Sequence, residues 1–382
     1  MLIGIEATHA NKAQRTGVEN YCWHIIQGLK KQIPSSVRVV LYSNKPLLGE
    51  LGVLPENWEV KILRWPFKKL WSQIMLSLEL LFHPPDIFFA PAQLIPLFSR
   101  VKKTVVTIHD SAFLVFPKAY NFCGRQYLKW MNKMIVKKSS LIITPSEFSK
   151  QELLKQYCHS RECGNPVVVI PEAYDNRIFR IIEILKQVQD DKSILKKYNL
   201  SKPFVMSLGR LEEKKNTAGI IKAFEILKKD QKNNELKLLL AGSPRVGFEK
   251  VKQALDSSEF KADILTPGWI SEENAVSLFN LASVFVFPSF YEGFGLPVLE
   301  AMACGCPVVA SAGNSLKEVG GESVLYVDPG NANDIAAAIN KLLHDENLRA
   351  EKIKSGLERV KNFSWEKAAK STWEAIGGLS SR

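Results

Sequence analysis

Two carboxylates and two cations are the residues of this chain with the clearest capacity for chemistry. Glu292 and Glu300 are eight residues apart, on either side of a glycine-containing turn, and Lys215 follows Arg210 by five residues. Carboxylates accept hydrogen bonds from sugar hydroxyls, as an acidic residue does on the ribose in dinucleotide folds. An arginine can bond two phosphate oxygens at once, and a lysine adds a point charge. These residue types predict a site for a ligand that carries both hydroxyl groups and a diphosphate.

A buried strand followed by a helix must position the two glutamates. Val284–Phe287 is an unbroken apolar run, which is typical of a parallel strand covered on both faces. Pro297 stands where a first-turn helix proline belongs, so we predict a helix that begins near this residue. The free backbone amides of Phe294, Gly295 and Leu296 would then face the region beyond the strand. That arrangement favours an anion, because the amino end of a helix carries partial positive charge.

The two cations lie on a loop between another strand and helix. Lys202–Leu208 predicts the strand and Thr217–Lys229 the helix, with Arg210 and Lys215 between them. Lys214 competes with Lys215 for the second position, and the spacing favours Lys215. A basic loop is often only a solvated surface, but here it occurs together with the glutamate pair. We therefore predict that it clamps a diphosphate.

The stretch from Ser283 to Ala310, SVFVFPSFYEGFGLPVLEAMACGCPVVA, carries a family resemblance. It resembles the E-x7-E signature of retaining nucleotide-sugar glycosyltransferases of family 4, also called glycosyl transferases group 1, which include many mannosyltransferases. The resemblance implies the α/β GT-B fold, with two Rossmann-like domains facing across a cleft and a C-terminal helix that crosses back to the first domain. It also implies that Glu292 contacts the donor sugar, that Glu300 contacts the ribose, and that Arg210 and Lys215 bind the diphosphate.

The first half contributes three further candidates. His109 and Asp110 follow the predicted strand Thr104–Ile108 and so lie at the carboxyl edge of a sheet, where open α/β sheets bind ligands. The resemblance implies that His109 lines the transfer site, whereas Asp110 either shares that site or braces the loop. Gly17 follows the first strand in a loop that often carries two glycines in the family; Thr16 replaces the first of them.

Loops of the second half supply the remaining donor-binding candidates. The predicted strand Leu236–Ala241 is followed by Gly242, and the predicted strand Ile264–Thr266 is followed closely by Trp269 and Ile270. We predict that these loops wall the pocket for the nucleotide base.

Length and strand pattern predict two domains in 382 residues, because one typical domain is smaller. Apolar runs alternate with helical patterns, as in β-α-β units. We predict a first, acceptor-binding domain over 1–175, a linker with an insertion over 176–200, a nucleotide-sugar domain over 201–362 and a returning helix over 363–382. The polar segments 158–166 and 183–192 read as tolerated insertions.

The net charge of +12 is concentrated in one half. Residues 1–190 hold 25 Lys and Arg against 15 Asp and Glu, whereas the rest of the chain holds 26 against 24. Such an excess would attract an anionic membrane, a phosphate-bearing acceptor or a nucleic acid, although scattered solvated lysines are an alternative. Tryptophans 65 and 71 and lysines 68 and 69 stand at the front of an apolar stretch, 70–81, which suits either a membrane-surface helix or burial.

The remaining patterns indicate the compartment and argue against several classes of site. Neither a signal peptide nor a membrane span is recognisable, and six cysteines without a secretory signal predict a reduced, cytoplasmic location. Cys158, His159 and Cys163 are close together but lack a second ligand pair, so we predict no metal site. No nucleic-acid-binding module is recognisable either, so we predict no nucleic-acid partner.

These observations and the family resemblance together predict a metal-independent hexosyltransferase that uses no cofactor, and the resemblance implies that transfer retains the anomeric configuration. Its donor would be a nucleoside-diphosphate sugar, with GDP-mannose favoured over a UDP-sugar by resemblance to transferases of bacterial surface polysaccharide synthesis. The acceptor would be a glycan or a lipid-linked glycan at the inner face of the membrane. A nucleotide-sugar epimerase or phosphorylase of the same fold is the enzyme alternative, and a basic nucleic-acid-binding protein is the alternative from another class.

Overall fold

A computed structural model describes residues 1–67, 70–157, 165–182 and 192–380. Most of both predicted insertions, lysines 68 and 69, and the Cys158, His159 and Cys163 cluster lie outside these residues. Contacts divide the chain into two compact units. The first contains Met1–Leu114, Phe122–Glu172 and the chain from Trp365 onward, and the second contains Val115–Asn121 and Ala173–Ser364.

The first unit is built on a seven-stranded parallel sheet with strand order β3-β2-β1-β4-β5-β6-β7. Its central strands are apolar on both faces, as expected for a parallel sheet covered by helices. The strands are β1 (Leu2–Glu6), β2 (Arg38–Ser43), β3 (Trp58–Ile62), β4 (Ile87–Ala90), β5 (Lys103–Thr107), β6 (Leu141–Thr144) and β7 (Val167–Val169). The helices of this part of the chain are α1 (Gly17–Gln32), α2 (Trp71–Phe82), α3 (Ala112–Val115), α4 (Phe122–Lys138) and α5 (Glu147–Tyr157).

The second unit is built on a six-stranded parallel sheet with strand order β10-β9-β8-β11-β12-β13. The strands are β8 (Phe204–Leu208), β9 (Lys237–Ala241), β10 (Ile264–Gly268), β11 (Val284–Phe287), β12 (Val308–Ser311) and β13 (Leu325–Val327). Residues 192–197 are helical, and the later helices of the unit are α6 (Thr217–Lys228), α7 (Phe248–Ser257), α8 (Glu272–Leu281), α9 (Leu296–Ala303), α10 (Leu316–Gly320), α11 (Ala332–His344) and α12 (Glu346–Val360).

The closing helix α13 (Trp365–Ser380) belongs to the first unit, where it packs along α1. Its first residue, Trp365, stacks face to face on His24 of α1, with ring centroids 4.7 Å apart. Ala369 and Ile376 are fully buried in the same contact region.

Each sheet has one topological switch point, where the order in which successive strands are added to the sheet reverses. In the first sheet, β1 lies between β2 and β4, and in the second, β8 lies between β9 and β11. The loops that leave the two strands beside such a switch point diverge to opposite faces and leave a crevice at the carboxyl edge, where ligands of open α/β sheets bind. Ligands are therefore expected at the carboxyl edge of each sheet.

Helix α2 answers the question that the apolar stretch 70–81 leaves open. One face is part of the core, since Leu76 and Leu80 are fully buried. The opposite face is apolar and exposed, in a row with a spacing of four residues: Leu70 (57% exposed), Ile74 (37%), Leu78 (42%) and Phe82 (68%). The burial interpretation is therefore confirmed for one face, and the membrane-surface interpretation stays a prediction for the other. Within the described ranges, no helix has the length and apolar character needed to cross a bilayer.

Candidate functional site

The switch point of the second sheet brings Lys215 and Glu292 into direct contact. Lys215 ends the short 3-10 helix Glu213–Lys215 after β8, and Glu292 lies in the loop between β11 and α9. The ammonium Nζ of Lys215 donates to Oε1 of Glu292 at 2.6 Å. The same ammonium lies 4.7 Å from the ring centroid of Phe287, the last residue of β11, in a cation–π contact. Two residues that are 77 positions apart in the sequence thus form one group.

Burial shapes the ionisation of this pair. The pKa of Lys215 is lowered, because burial disfavours its charge; attraction by Glu292 offsets part of this effect, and repulsion by Lys214 adds to it. Burial opposes ionisation of Glu292 as well, but the charges of Lys215 and Lys214 outweigh it and lower the pKa of this carboxyl group. The pair depends on both partners, because either charge alone would be buried without compensation.

Arg210 lies near this pair in the sequence but differs from it in exposure. The residue follows β8 and Gly209, its side chain is exposed, and none of the described residues pairs with its guanidinium. Gly242, after the neighbouring strand β9, has a positive φ of 144°, and a Cβ built there would lie 1.7 Å from the carbonyl oxygen of Gly209. Glycine at 242 therefore lets the two strand ends approach each other closely. Its predicted contact with a nucleotide stays a prediction.

The loop after β11 delivers the amino end of α9 to the same edge. Gly295 is the N-cap of this eight-residue helix and has a φ of 114°, and a Cβ there would lie 2.2 Å from Cδ2 of Leu316. Phe294 is buried, whereas Leu296 begins the helix and is half-buried. The predicted strand, turn and helix around the glutamates are therefore all present.

A set of buried polar residues holds the glutamate loop, and sequence reasoning missed its role. Ser315 Oγ is placed to bond the carbonyl oxygens of Glu292 and Phe294, at 2.8 Å each. Asn314 donates to the carbonyl oxygen of Ser289 and accepts from the amide of Leu316. The available signal was Ser311 at the end of a buried strand, with Asn314 and Ser315 close behind it, because polar side chains at such a place usually bond to the backbone.

Glu300 lies one turn into α9 and is half-buried. Burial, with a smaller effect of the Glu272 charge, raises the pKa of this carboxyl group from 4.5 to about 8. Glu272 begins α8, directly after the loop that contains Ile270, so this loop lies near Glu300. Ile270 itself is buried, whereas Trp269 is 63% exposed. The predicted roles of these residues toward ribose and base stay predictions.

The raised pKa of Glu300 has a measurable consequence for stability. The folded chain keeps a proton that the unfolded chain loses above its ordinary pKa of 4.5, so raising the pH toward 8 favours the unfolded state. We expect Glu300→Gln to remove this slope, and melting temperatures of the two proteins at pH 5.5, 7 and 8.5 measure it. The variant should gain stability relative to the original chain as the pH rises. Parallel pH curves would contradict the assignment.

His109 occupies the carboxyl edge of the first sheet, one residue beyond Ile108 and two beyond the end of β5. Its imidazole is buried, with Nδ1 3.0 Å from Oε1 of Glu172 and Nε2 3.0 Å from the carbonyl oxygen of Pro91. The carboxylate of Asp110 accepts from the amide of Ala112 at 3.0 Å and so supports the start of α3. This contact agrees with the loop-bracing alternative for Asp110 and leaves its predicted site role untested.

Gly17 is the first residue of α1 and is exposed. A Cβ at this position would meet nothing within 4 Å, so space does not require a glycine here. The neighbouring Thr16, which departs from the family pattern, caps the helix: its amide and its hydroxyl both donate to Oε2 of Glu19, at 2.8 and 2.7 Å.

Two further acidic residues of the first unit were missed. Glu6 ends β1, is fully buried, and has Oε2 3.1 Å from Nδ1 of His9, while Oε1 accepts from the amide of Thr8. Burial opposes ionisation of Glu6, but the bonds to His9 and Thr8 lower its pKa. An acid that ends a buried strand at a switch point was a usable signal for Glu6. Glu172 carried no such signal, because it lies 63 residues from the histidine that it contacts.

Of the thirteen predicted site residues, three belong to the first unit and ten to the second. Lys215 and Glu292 bond to each other directly through their side chains, and Glu292, Phe294 and Gly295 share one loop. Among the described residues, no group of three or more His, Cys, Asp and Glu side chains could hold a metal ion.

Comparison with known families identifies the family of this chain. Residues 189–359 match the family described as Glycosyl transferases group 1, and residues 15–177 match the one described as Glycosyltransferase Family 4. The two matches together span most of the chain. The chain belongs to glycosyltransferase family 4. The family predicted from the glutamate motif is thus confirmed.

Known mannosyltransferases are among the relatives of this family 4 chain. It is 29% identical over 333 residues to O-antigen chain mannosyltransferase B of Escherichia coli. The aligned residues cover 86% of this chain and 82% of that relative. It is also 29% identical over 273 residues to the serotype-specific mannosyltransferase WbdA of Escherichia coli, covering 70% of this chain but 32% of that longer relative.

Solved structures confirm the GT-B fold of the family 4 chain. Sucrose-phosphate synthase from Thermosynechococcus elongatus matches with a TM-score of 0.75 and 21% identity, over 100% of this chain and 99% of that one. Anabaena Alr3699/HepE, solved in complex with UDP-glucose, matches with a TM-score of 0.74 and 16% identity, over 99% of this chain and 100% of that one.

Proposed function

We propose that this protein is a retaining hexosyltransferase that moves mannose from GDP-mannose to a glycan or lipid-linked glycan in surface polysaccharide synthesis. The observation that carries the proposal is the edge of the second sheet at its switch point. Arg210, the Lys215–Glu292 pair and the amino end of α9 all belong to the loops that leave β8 and β11. A diphosphate requires such cations and amides, and a sugar requires the acceptors beside them.

The chemistry of transfer needs stabilisation of the leaving diphosphate. The bond between the anomeric carbon and the diphosphate oxygen breaks, and the acceptor hydroxyl oxygen bonds to the same carbon on the same face. The hydroxyl proton passes to the departing diphosphate oxygen. Arg210, Lys215 and the α9 amides would supply fixed positive charge to that leaving group, which is the contribution a metal ion makes in other transferases. We therefore propose that transfer proceeds without a metal or other cofactor.

Two carboxylates would orient the donor in this proposal. Glu292 would accept from hydroxyls of the sugar, and its bond to Lys215 keeps its carboxylate ionised for that purpose. Glu300 would accept from the ribose. Because its pKa is raised to about 8, donor binding would be linked to loss of a proton from this residue.

The identity of the sugar rests on the relatives. The mannosyltransferases similar to this chain support mannose, and hence GDP-mannose as the donor. UDP-glucose is the alternative, because it is the ligand named for the structurally similar Alr3699/HepE. A thermal-shift series with GDP-mannose, GDP, UDP-glucose and UDP in EDTA separates them, because a ligand that binds only the folded state raises the melting temperature. Analysis of the product with a glycan acceptor then tests retention, while free epimer or sugar phosphate would indicate the epimerase or phosphorylase.

A lipid-linked acceptor would require contact with a membrane, and the first unit has a suitable surface. The exposed apolar row of α2, defined above, is one part. Helix α4 is the other: it contains five Lys and Arg and no acidic residue, with Tyr127 and Trp130 exposed. The two helices are linked by the bond from Gln73 to the hydroxyl of Tyr127. Cations beside exposed aromatic and aliphatic side chains are complementary to an anionic bilayer. We propose peripheral binding there, at the cytoplasmic face of the membrane.

Sedimentation with lipid vesicles tests this surface. We expect the protein to bind vesicles that contain phosphatidylglycerol and to bind pure phosphatidylcholine weakly, since each basic residue near an anionic surface contributes about 1 kcal/mol. Lys133→Glu with Lys137→Glu should release it, and Ile74→Ser with Leu78→Ser should weaken binding to both lipids. Lys222→Glu with Lys354→Glu, an equal change of charge in the second unit, is the control. Equal loss with the control pair would refute the assignment of this surface.

A further inference from the structure

The imidazole of His109 has a hydrogen-bond acceptor at both of its nitrogens. Nε2 lies 3.0 Å from the carbonyl oxygen of Pro91, and Nδ1 lies 3.0 Å from Oε1 of Glu172. All three residues belong to the first unit, and the side chains of His109 and Glu172 are about nine-tenths buried. Buried polar atoms are normally satisfied by such bonds, so the protons that these bonds require can be counted.

The bond to Pro91 fixes one proton. A backbone carbonyl oxygen carries no hydrogen and can only accept, so Nε2 of His109 must be the donor and must be protonated. The bond to Glu172 then needs one more proton between Nδ1 and Oε1. Either the ring is an imidazolium beside a carboxylate, or the ring is neutral beside a protonated Glu172. In both cases Nε2 carries hydrogen and its lone pair is unavailable.

The surroundings of the ring keep these two bonds in place. Tyr21 of α1 contacts the imidazole edge to face, with ring centroids 4.6 Å apart, and its hydroxyl is 3.1 Å from Oγ1 of Thr107. Burial raises the pKa values of both Tyr21 and neighbouring Cys22 well above neutrality, so neither residue adds charge at physiological pH. The carboxyl group of Glu172 contacts the ring directly, and Asp110 is the next residue along the chain. Ser149 donates to the backbone carbonyl of His109 and holds its main chain.

We propose that Glu172 is a positioning residue for His109: together with the carbonyl group of Pro91, it orients the ring and keeps Nε2 protonated. The orientation and protonation of the ring are independent of the proposed transfer reaction, and only their effect on catalysis rests on it. A ring in this state does not remove a proton from the acceptor hydroxyl. The base must therefore lie elsewhere, in agreement with proton transfer to the departing phosphate. His109 instead contributes a ring that is fixed in position and carries a proton on Nε2.

Nitrogen-15 NMR of the full-length chain labelled at histidine tests the protonation directly and needs no activity. The chain has six histidines, so His109→Gln assigns the relevant signals by their loss. We expect Nε2 of His109 to carry a proton in the folded protein, because it donates to the carbonyl oxygen of Pro91. In Glu172→Gln the side-chain amide can donate to Nδ1, so Nδ1 should become unprotonated while Nε2 keeps its proton. An unprotonated Nε2 in the original protein would overturn the proposal.

Kinetics with two substitutions of Glu172 test the positioning role. Glu172→Leu removes the bond at similar size and should lower kcat by about 10- to 100-fold, the usual cost of losing a partner that orients a histidine. Glu172→Gln keeps a bond to Nδ1 and should restore most of kcat. The KM for the donor should change little in either variant, because the proposed donor site lies in the other unit. Glu172→Leu with full kcat, or Glu172→Gln as impaired as the leucine variant, would overturn the role. If the original protein transfers no sugar at all, the proposed function fails while the NMR result still decides the protonation.

Discussion

Replacing Arg210 by alanine is expected to lower kcat for sugar transfer by about 10²- to 10³-fold, the cost typical of losing one group that stabilises developing negative charge. The guanidinium is exposed and has no partner among the described residues, so its loss leaves no buried charge behind. Folding should therefore be unaffected, and the melting temperature without ligand should match that of the original chain. Steady-state kinetics with the preferred donor measures the effect.

Two companion variants make the Arg210 result specific. Arg210→Lys keeps the charge but loses the two-pronged geometry, so it should recover only part of the activity. Arg349→Ala is the matched control, because this residue lies in the first turns of α12, away from the carboxyl edge. The end of the preceding helix α11 marks this place: His344 contacts Asn233, which comes just before β9 and so lies at the amino edge of the sheet. The control should keep full activity. An Arg210→Ala enzyme that is as active as Arg349→Ala would remove this residue from the site.

The second large effect concerns stability as well as activity. Lys215→Met keeps the apolar stem of the side chain but leaves the buried carboxylate of Glu292 without its partner. Breaking a buried ion pair from one side typically costs about 3–5 kcal/mol of the free energy of unfolding. We therefore expect a clear fall in melting temperature together with loss of transfer. Glu292→Ala should likewise destabilise the protein, because it leaves Lys215 buried and uncompensated, so Glu292→Gln is the better variant for activity.

A double variant separates the two consequences. Lys215→Met combined with Glu292→Gln removes both charges and should recover most of the stability but none of the activity.

The pH dependence of stability gives a further check on the coupling of Lys215 and Glu292. Because the pKa of Glu292 is lowered from 4.5 in the folded chain, its stabilising contribution is present above pH 4.5 and is lost as the pH falls through the lowered value. The stability difference between the original chain and Lys215→Met should narrow in acid. If the changes in the free energy of unfolding caused by Lys215→Met and Glu292→Gln simply added in the double variant at every pH, the two side chains would not be coupled.

Local pattern was sufficient for the elements that position this site. The apolar run Val284–Phe287, the turn at Gly295 and the proline at 297 specify strand, loop and helix from residues that are neighbours in the chain. The alternation of strand and helix predicts parallel strands whose carboxyl ends share one edge of the sheet, which is why Arg210 and Lys215 could be assigned to the same edge as Glu292.

Long-range pairing was not accessible from pattern. Three such contacts join residues 21 to 77 positions apart: Lys215 with Glu292, Ser315 with the glutamate loop, and Glu172 with His109. Each depends on side-chain packing after the sheet has formed, and hydrophobic periodicity contains no information about it. The same limit explains α2: its apolar residues were visible, but only the tertiary structure shows which row is buried and which is exposed.

Calorimetric titration of the 382-residue protein with GDP-mannose in EDTA is the decisive test of whether the carboxyl edge of the second sheet binds a nucleoside-diphosphate sugar through Arg210 and Lys215. We expect saturable one-site binding that GDP displaces. Arg210→Ala should weaken this binding by about tenfold or more, the cost of a lost charge-assisted bond, and Arg349→Ala should leave it unchanged. UDP-glucose in the same titration distinguishes a different donor from a different function. Absence of binding for every sugar nucleotide, or equal affinity in Arg210→Ala, would contradict the account.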